Sequence, residues 1–237
     1  MRIITIDNGN TNPHVGIFQN EKLDSVVALK DFMAQEDDFI LLSDVGSPIN
    51  FSANVDLKKY RRMQKGINHF FEMPVLYSET LGDDRLISSY LVFSHIKPNE
   101  KILLIDAGTF ITIDLINDQG FLGGYIFPGI ATFLSSYQKG SNLKILSPQF
   151  NLSRSELPHS TEEAILGATE IYLESVLKAL IKKTSPSKII ITGGSFELVK
   201  NIILKFNLPK VQLETYHHLI HYALFLIYQN HLRPKSL

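Results

Sequence analysis

The sequence predicts an α/β protein made of two similar halves, and an internal repeat is the main sign of this organisation. The first copy covers residues 3–11, where four strand-type residues lead into Asp7, a glycine and a threonine. The second copy covers residues 102–109 and repeats the pattern around Asp106. Further strand-like runs separated by turns follow each copy, so we expect the two halves to share a strand arrangement around a nucleotide cleft.

The composition limits the class of protein. The chain has 237 residues, which suits two domains of about a hundred residues each, and we place them at 1–98 and 99–237. A net charge of −1 gives no field that would favour nucleic acid or an anionic membrane. The absence of cysteine excludes disulfides, thiol catalysis and cysteine-ligated zinc. We see neither a leader segment nor a long apolar run, and therefore expect a cytoplasmic globular protein.

In the first half, short apolar runs separated by turns predict strands at 3–6, 14–18, 23–29, 39–43 and 74–76. The run 54–71 has helical spacing of its apolar residues, and we interpret it as a helix. Its basic side chains favour a solvated face over a phosphate contact: Lys58, Lys59, Arg61, Arg62 and Lys65. A further helix is predicted at 84–96, ended by Lys97 and Pro98.

The second half repeats the strand pattern and then becomes helical. Strands are predicted at 101–105, 110–116, 121–127 and 188–192, with a hairpin turn at 117–120. Helices are predicted at 129–138, from the capping box at Ser160 to about 183, at 196–206 and at 216–231. Residues 139–158, rich in serine, asparagine and proline, are predicted to form a loop.

Each residue type in the repeated turn suits a nucleotide phosphate. Glycine lets backbone N–H groups approach a phosphate, threonine adds a hydroxyl donor, and aspartate is a hard ligand for Mg²⁺ or another cation. Two matched turns favour a nucleotide site over plain hairpin geometry. The segment 189–195, a strand ending in Gly193 and Gly194, could accept a flat ligand such as adenosine or be only a tight turn.

A second acidic motif, 82–85, opens a predicted helix. Asp83 and Asp84 would interact favourably with the helix dipole in any protein. In a functional interpretation, one carboxylate accepts a hydroxyl proton and Arg85 grips a substrate carboxylate. Both interpretations remain open on the residues alone.

These motifs, in this order, resemble the type III pantothenate kinases of the acetate and sugar kinase/Hsp70/actin superfamily. Residues 7–12 are similar to the family's first phosphate motif, 82–85 to its Gly-x-Asp-Arg motif, and 106–109 to its second phosphate motif. Thr161 and 192–194 fit its late helix and its adenosine strand. The resemblance implies duplicated ribonuclease H-like (actin-like ATPase) domains around a nucleotide cleft.

The resemblance also implies an activity, the phosphorylation of pantothenate to 4′-phosphopantothenate in coenzyme A synthesis, using ATP, Mg²⁺ and K⁺ or NH₄⁺. Asp84 would be the proton acceptor, and Asp7 and Asp106 would serve the magnesium and the monovalent cation, respectively. Pantothenate would be held by Gly82, Asp83, Asp84 and Arg85, with Thr161, and the enzyme would be a homodimer. The ATP-binding residues would be Asp7, Asn8, Gly9, Asn10, Thr11, Asn12, Pro13, His14 and Thr109.

The chain also departs from the family pattern in four places. Val75 stands near the family's tyrosine, with Tyr77 close by, and Phe110 replaces a small residue. Residues 141–145 and 43–48 differ from the family's motifs as well. Two alternatives therefore stay open, a non-catalytic nucleotide-binding regulator and a kinase for another small hydroxylated acid. His217 and His221 are spaced like metal ligands, but decoration of an amphipathic helix is favoured.

Overall fold

A computed structural model of the chain describes residues 2–49, 51–139, 146–147 and 157–233. Its strands are β1 Ile3–Asn8, β2 His14–Gln19, β3 Lys22–Ala28, β4 Phe39–Asp44, β5 Arg61–Gln64, β6 Ile67–Phe70, β7 Met73–Val75, β8 Lys101–Ala107, β9 Phe110–Asn117, β10 Gly120–Pro128, β11 Lys188–Thr192 and β12 Gln212–Thr215. Its helices are α1 Asp83–Ser94, α2 Ile130–Ser136, α3 Thr161–Thr184, α4 Phe196–Leu204 and α5 Leu219–Ile227.

These elements form two units, each drawn from separate stretches of the chain. The first unit comprises Met1–Asn99, Ile116–Gly123 and His218–Leu237. The second comprises Glu100–Leu115 and Gly124–His217. The predicted division of the chain at residue 98 stays a prediction, because units defined by spatial contact combine segments from both halves of the sequence.

In the first unit, a sheet has the strand order β3-β2-β1-β4. The consecutive strands β1, β2 and β3 run antiparallel, and β4 pairs with β1 in parallel. The strand β1 is buried along nearly its whole length, as expected for a central strand, and its side chains form a core with Val15 and Phe32. The helices α1 and α5 pack against this sheet and each other.

The same order recurs in the other sheet as β10-β9-β8-β11, with β12 added at the edge beyond β11. The strand β11 pairs in parallel with β8, as β4 does with β1. Isoleucines and leucines of β8, β9 and β11 form a core with α3 and α4. The repeated arrangement confirms the predicted α/β class and the duplication inferred from the two acidic turns.

One predicted helix is wrong. Residues 54–71 instead form a short 3-10 turn, Leu57–Tyr60, followed by the hairpin of β5 and β6. Lys65 and Gly66 connect the two strands with φ values of 49° and 79°. Two successive left-handed residues match the twist of a two-residue hairpin and cannot occur inside an α-helix, so the turn overrides the helical spacing of the apolar residues.

Other predicted elements need smaller changes. The hairpin turn at 117–120 is confirmed, with the Gln119 N–H donating to Asn117 Oδ1 at 2.9 Å. Strand β12 has no counterpart among the predicted elements. The last helix begins later than predicted, at Leu219 instead of 216, and α5 continues directly as a π-helical turn at Tyr228–Leu232. Most of the predicted loop 139–158 lies outside the described residues, and within the described ranges no helix is long and apolar enough to cross a membrane.

Candidate active site

The first acidic turn lies where β1 ends, beside the start of β2. Asp7 is partly buried and pairs in register with His14. Asn8 is buried, and its amide donates to Asp44 Oδ1 at 2.6 Å and to the Ser47 carbonyl at 2.7 Å. The Asn8 side chain therefore holds the segment after β4 against the turn.

Gly46 in that segment has to be a glycine. A Cβ on Gly46 would lie 2.6 Å from the Gly9 carbonyl oxygen and 2.8 Å from that of Asn8. In the first acidic turn, the three residues that follow Gly9 are exposed: Asn10, Thr11 and Asn12. The loop thus has a tightly packed base and an exposed tip, which suits backbone contact with a phosphate.

The second acidic motif caps α1, with Gly82 as the N-cap residue. The Asp84 carboxylate accepts a hydrogen bond of 2.7 Å from the Arg85 backbone N–H and folds back over Gly82. A Cβ on Gly82 would lie 2.6 Å from Asp84 Oδ1, so the glycine makes room for the carboxylate. Burial raises the pKa of Asp84 above its ordinary value, and the charge of Asp83 adds to the rise, although Arg85 opposes it. A carboxylate whose pKa is raised in this way is suited to accept a proton.

Arg85 is buried beneath two aromatic rings. Its guanidinium carbon lies 5.3 Å from the ring centre of Tyr77 and 5.8 Å from that of Phe121. Stacking on aromatic faces orients a guanidinium and shields it from water. Tyr77, two residues after Val75, therefore belongs to the surroundings of this motif, whereas Val75 is buried on β7.

A cavity of about 500 Å³ opens beside this motif, within the first unit. Gly82 and Asp83 line it together with Lys58, Arg61 and Arg62. Arg61 forms an ion pair with Asp83 and donates to the Leu81 carbonyl at 3.0 Å. The sequence interpretation placed these basic residues on a solvated helix face. It missed their place in the cavity because Lys58 lies on a 3-10 turn, and Arg61 and Arg62 on β5, rather than on a helix.

The third motif sits in the second unit, where β8 and β11 end side by side. Thr192 pairs in register with Asp106. Gly193 follows with a φ of +88°, and a Cβ there would lie 2.3 Å from Asp106 Oδ1 and 2.6 Å from the Ala107 carbonyl carbon. Gly193, one of the two glycines predicted to face a ligand, is therefore also what allows the end of β11 to approach the Asp106 carboxylate.

Thr109 is held by the start of α2. Its carbonyl accepts hydrogen bonds from the Gly129 N–H at 2.9 Å and from Thr132 Oγ1 at 2.7 Å. A Cβ on Gly129 would meet the Gly108 carbonyl oxygen at 2.3 Å, which explains the glycine after Pro128. Phe110, the residue that departs from the family pattern here, is 45% exposed.

Thr161 is the first residue of α3 and is exposed. The Ser160 hydroxyl caps the helix by accepting from the Glu163 N–H at 3.2 Å, and the Glu163 carboxylate accepts in turn from the His159 N–H at 3.0 Å. The Ser160 bond confirms the predicted cap, and the Glu163 bond is a variant of the capping box because it reaches the residue before the N-cap. The departure from the family pattern at 141–145 lies outside the described residues.

Solved structures resemble nearly the whole chain in fold. A Campylobacter jejuni protein, described as a candidate Baf family transcriptional activator, matches with a TM-score of 0.58 and 21% identity, covering 97% of this chain and 98% of its own. A candidate N-acetylmannosamine kinase from Listeria monocytogenes matches with a TM-score of 0.52 and 17% identity, covering 97% and 100%. Identities this low establish the fold alone, and the fold is that of the actin-like ATPases and sugar kinases.

Sequence comparison then gives the family. The type III pantothenate kinase family model matches residues 3–183. A type III pantothenate kinase from Campylobacter hominis is 29% identical over 210 residues, covering 87% of this chain and 93% of that relative. One from Aquifex aeolicus is 30% identical over 212 residues, covering 82% and 87%. The chain belongs to the type III pantothenate kinase family, whose members are kinases and use ATP.

Proposed function

We propose that the protein transfers the γ-phosphoryl group of ATP to the 4′-hydroxyl of pantothenate, the first step of coenzyme A synthesis. Asp84 takes up the hydroxyl proton, because it is the carboxylate of the Gly-x-Asp-Arg motif and its pKa is raised by burial. In phosphoryl transfer the protein mostly positions groups and neutralises charge, so a carboxylate that orients the hydroxyl is sufficient. The Asp84 environment, together with family membership, carries this proposal.

We further propose that the cavity beside Gly82 and Asp83 admits pantothenate. Its volume of about 500 Å³ lies in the usual range for small-molecule sites. Lys58 and Arg62 are cations on a wall that also carries Asp44, Glu79 and Asp83, and these two cations complement the carboxylate of pantothenate. Neither Asp84 nor Arg85 is among the residues that line the cavity, so pantothenate would extend past Gly82 to bring its hydroxyl to Asp84, where Arg85 would help to hold it.

The cations and ATP are assigned to the two acidic turns. Asp7 offers a hard oxygen ligand at the end of β1 and fits Mg²⁺, which would neutralise phosphate charge. The space beside Asp106 Oδ1 is open only because residue 193 is a glycine, and a carboxylate oxygen facing such a space fits a monovalent cation, K⁺ or NH₄⁺. The loop Asp7–His14 would bind the ATP phosphates, with Thr109 a further ATP contact. In a cytoplasmic homodimer, Thr161 would reach the substrate of the partner subunit.

The activity is tested by ADP release with ATP, Mg²⁺, K⁺ and pantothenate. Replacing Asp84 with asparagine should lower kcat by about 10²–10⁴-fold, the usual contribution of general base catalysis. Asp24→Asn is the matched control, because Asp24 is exposed on β3 and its removal should leave kcat unchanged. Turnover only with a different hydroxylated acid, or nucleotide binding with no turnover on any acceptor, would contradict the proposal.

The substrate cavity is tested separately through KM. Lys58→Gln and Arg62→Gln should raise the KM for pantothenate and leave the KM for ATP unchanged. Lys59→Gln provides the control, because Lys59 is a neighbouring exposed cation outside the cavity lining. If Lys58→Gln and Arg62→Gln both kept the KM for pantothenate of the parent enzyme, as Lys59→Gln should, the acceptor would bind elsewhere, and the assignment of Asp84 would not be affected.

A further inference from the structure

Three histidines from two elements meet in the first unit. His14 begins β2, His218 directly precedes α5, and His221 lies in the first turn of α5. The ring centres of His14 and His221 are 4.8 Å apart, and His218 lies 5.8 Å from His14 and 5.9 Å from His221. One ring nitrogen from each residue lies within 4.8 Å of the others. The cluster connects α5 to the end of the loop Asp7–His14, which we call the phosphate loop.

The hydrogen bonds of His221 define which of its nitrogens is available. The Thr5 hydroxyl donates its single hydrogen to the Gly16 carbonyl at 3.1 Å. The 2.9 Å contact between Thr5 Oγ1 and His221 Nδ1 must therefore be donated by the imidazole N–H. The proton is then on Nδ1, which leaves a lone pair on Nε2. That nitrogen is buried and has no hydrogen-bond partner.

The surroundings of His221 are built to place the ring there. His221 is fully buried, and a Cβ on Gly16 would lie 2.7 Å from its ring carbon Cγ. Burial lowers the pKa of His221 well below its ordinary value, and the neighbouring histidines contribute in the same direction. The ring is therefore neutral at physiological pH, which is the form that binds metals.

His14 provides a second nitrogen of the same kind. Its Nδ1 is buried without a hydrogen-bond partner, and its Nε2 faces Asp7 Oδ2 at 3.7 Å. Burial and the proximity of His218 lower the pKa of His14 as well. At 3.7 Å the Asp7 carboxylate is near this nitrogen but too far to accept a hydrogen bond, so it is the buried, unpartnered Nδ1 that makes His14 a candidate ligand.

Two buried nitrogens without partners in one cluster are costly unless something satisfies them. Imidazole nitrogens suit zinc, nickel and copper, whereas Mg²⁺ prefers oxygen. At a tetrahedral zinc with bonds of about 2.1 Å, neighbouring nitrogens lie about 3.4 Å apart, so modest ring rotations would close the cluster on an ion. A single buried water is the competing occupant.

We propose that His14, His218 and His221 bind one divalent transition-metal ion, such as Zn²⁺, Ni²⁺ or Cu²⁺. This ion is distinct from the cations assigned to Asp7 and Asp106. Thr5 is a positioning residue, since it fixes the His221 ring through the opposite nitrogen. The bound ion would tie the end of the phosphate loop to α5. The proposal stands on the three rings and their contacts, and it does not depend on the acceptor that the enzyme phosphorylates.

The test uses the full chain without a histidine tag, stripped of metal by a chelator and kept in excess Mg²⁺. Titration with Co²⁺ should show one equivalent bound and the visible absorption of a tetrahedral nitrogen site, and Zn²⁺ should displace it. Absence of saturable uptake would overturn the proposal and leave water as the occupant.

Variants then connect the binding to these residues. His218→Gln should weaken binding by more than the roughly 10–100-fold that follows loss of an outer partner. Thr5→Val should cause that 10–100-fold loss, and Thr5→Ser, which keeps the hydroxyl, should restore binding. His217→Gln is the matched control, because His217 packs against Phe196 and lies outside the cluster. Unchanged affinity in His218→Gln with its circular dichroism intact would refute the proposed ligand set.

Discussion

Adding one methyl group at Gly193 should destabilise the second unit strongly, for two separable reasons. Its φ of +88° is a left-handed conformation that costs an L-residue about 1–2 kcal/mol. The new Cβ would also lie 2.3 Å from Asp106 Oδ1 and 2.7 Å from the Ala107 nitrogen. Backbone cannot move aside cheaply, and overpacking of this kind costs about 1–3 kcal/mol. Gly193→Ala should therefore lose about 2–5 kcal/mol of unfolding free energy.

Two further glycines make this prediction a controlled one. A Cβ on Gly194 would have no atom within 4 Å, so Gly194→Ala should stay within about 0.5 kcal/mol of the parent. Gly66 also has open space but a φ of +79°, so Gly66→Ala should show the conformational cost alone, about 1–2 kcal/mol.

The measurement is urea unfolding followed by circular dichroism, because the chain contains no tryptophan. A Gly193→Ala loss no larger than that of Gly66→Ala would refute the inferred contact between β11 and the Asp106 carboxylate. If Asp106 binds the monovalent cation, the variant should also need more KCl for half-maximal turnover, and an unchanged KCl requirement would count against that assignment.

Three other predictions follow from single contacts. Because the pKa of Asp84 is raised and the base works deprotonated, kcat/KM should fall as the pH drops through a value above about 3.9, the ordinary pKa of aspartate. Since a raised pKa means that the charged form is destabilising in the folded state, Asp84→Asn should leave the melting temperature at neutral pH unchanged or higher. Gly82→Ala, whose Cβ would displace the Asp84 carboxylate, should lower kcat with little change in KM for ATP; an unaltered kcat would contradict that geometry. Arg2→Met should cost about 3 kcal/mol in a urea titration at neutral pH, since it leaves Asp38 buried without its two 2.8 Å hydrogen bonds from Arg2, and a loss below about 1 kcal/mol would show that the pair is unimportant.

The pH dependence of the Arg2 variant has a defined sign. Burial alone would raise the pKa of Asp38, but hydrogen bonds from Arg2 and from the Gln35 N–H outweigh it and lower the pKa. The pair therefore stabilises the protein above the unfolded pKa of aspartate and loses its effect as the pH falls through the lower folded value. The difference between parent and variant should shrink in acid.

Local sequence signals predicted the elements that short-range chemistry decides. The Ser160 capping box and the 117–120 turn are satisfied by neighbours within four residues, so their sequence patterns were sufficient. The prediction of a helix at 54–71 was wrong because the spacing of the apolar residues is compatible with both a helix and a hairpin. Lys65 and Gly66, both left-handed in the structure, decide between them, and Gly66 was the residue in the sequence whose left-handed preference could have indicated the hairpin turn.

The sequence by itself determined the order of motifs, and with it the family, the duplicated topology and the acidic side chains at the strand ends. Those features follow from residue type and position along the chain, which are local. Only the tertiary structure decided which side chains meet. His221 was paired with His217 by spacing, yet its neighbours are His218 and His14, the last more than two hundred residues away. Long-range contacts of this kind depend on how α5 packs on β1 and β2, and no periodicity in the sequence records that packing.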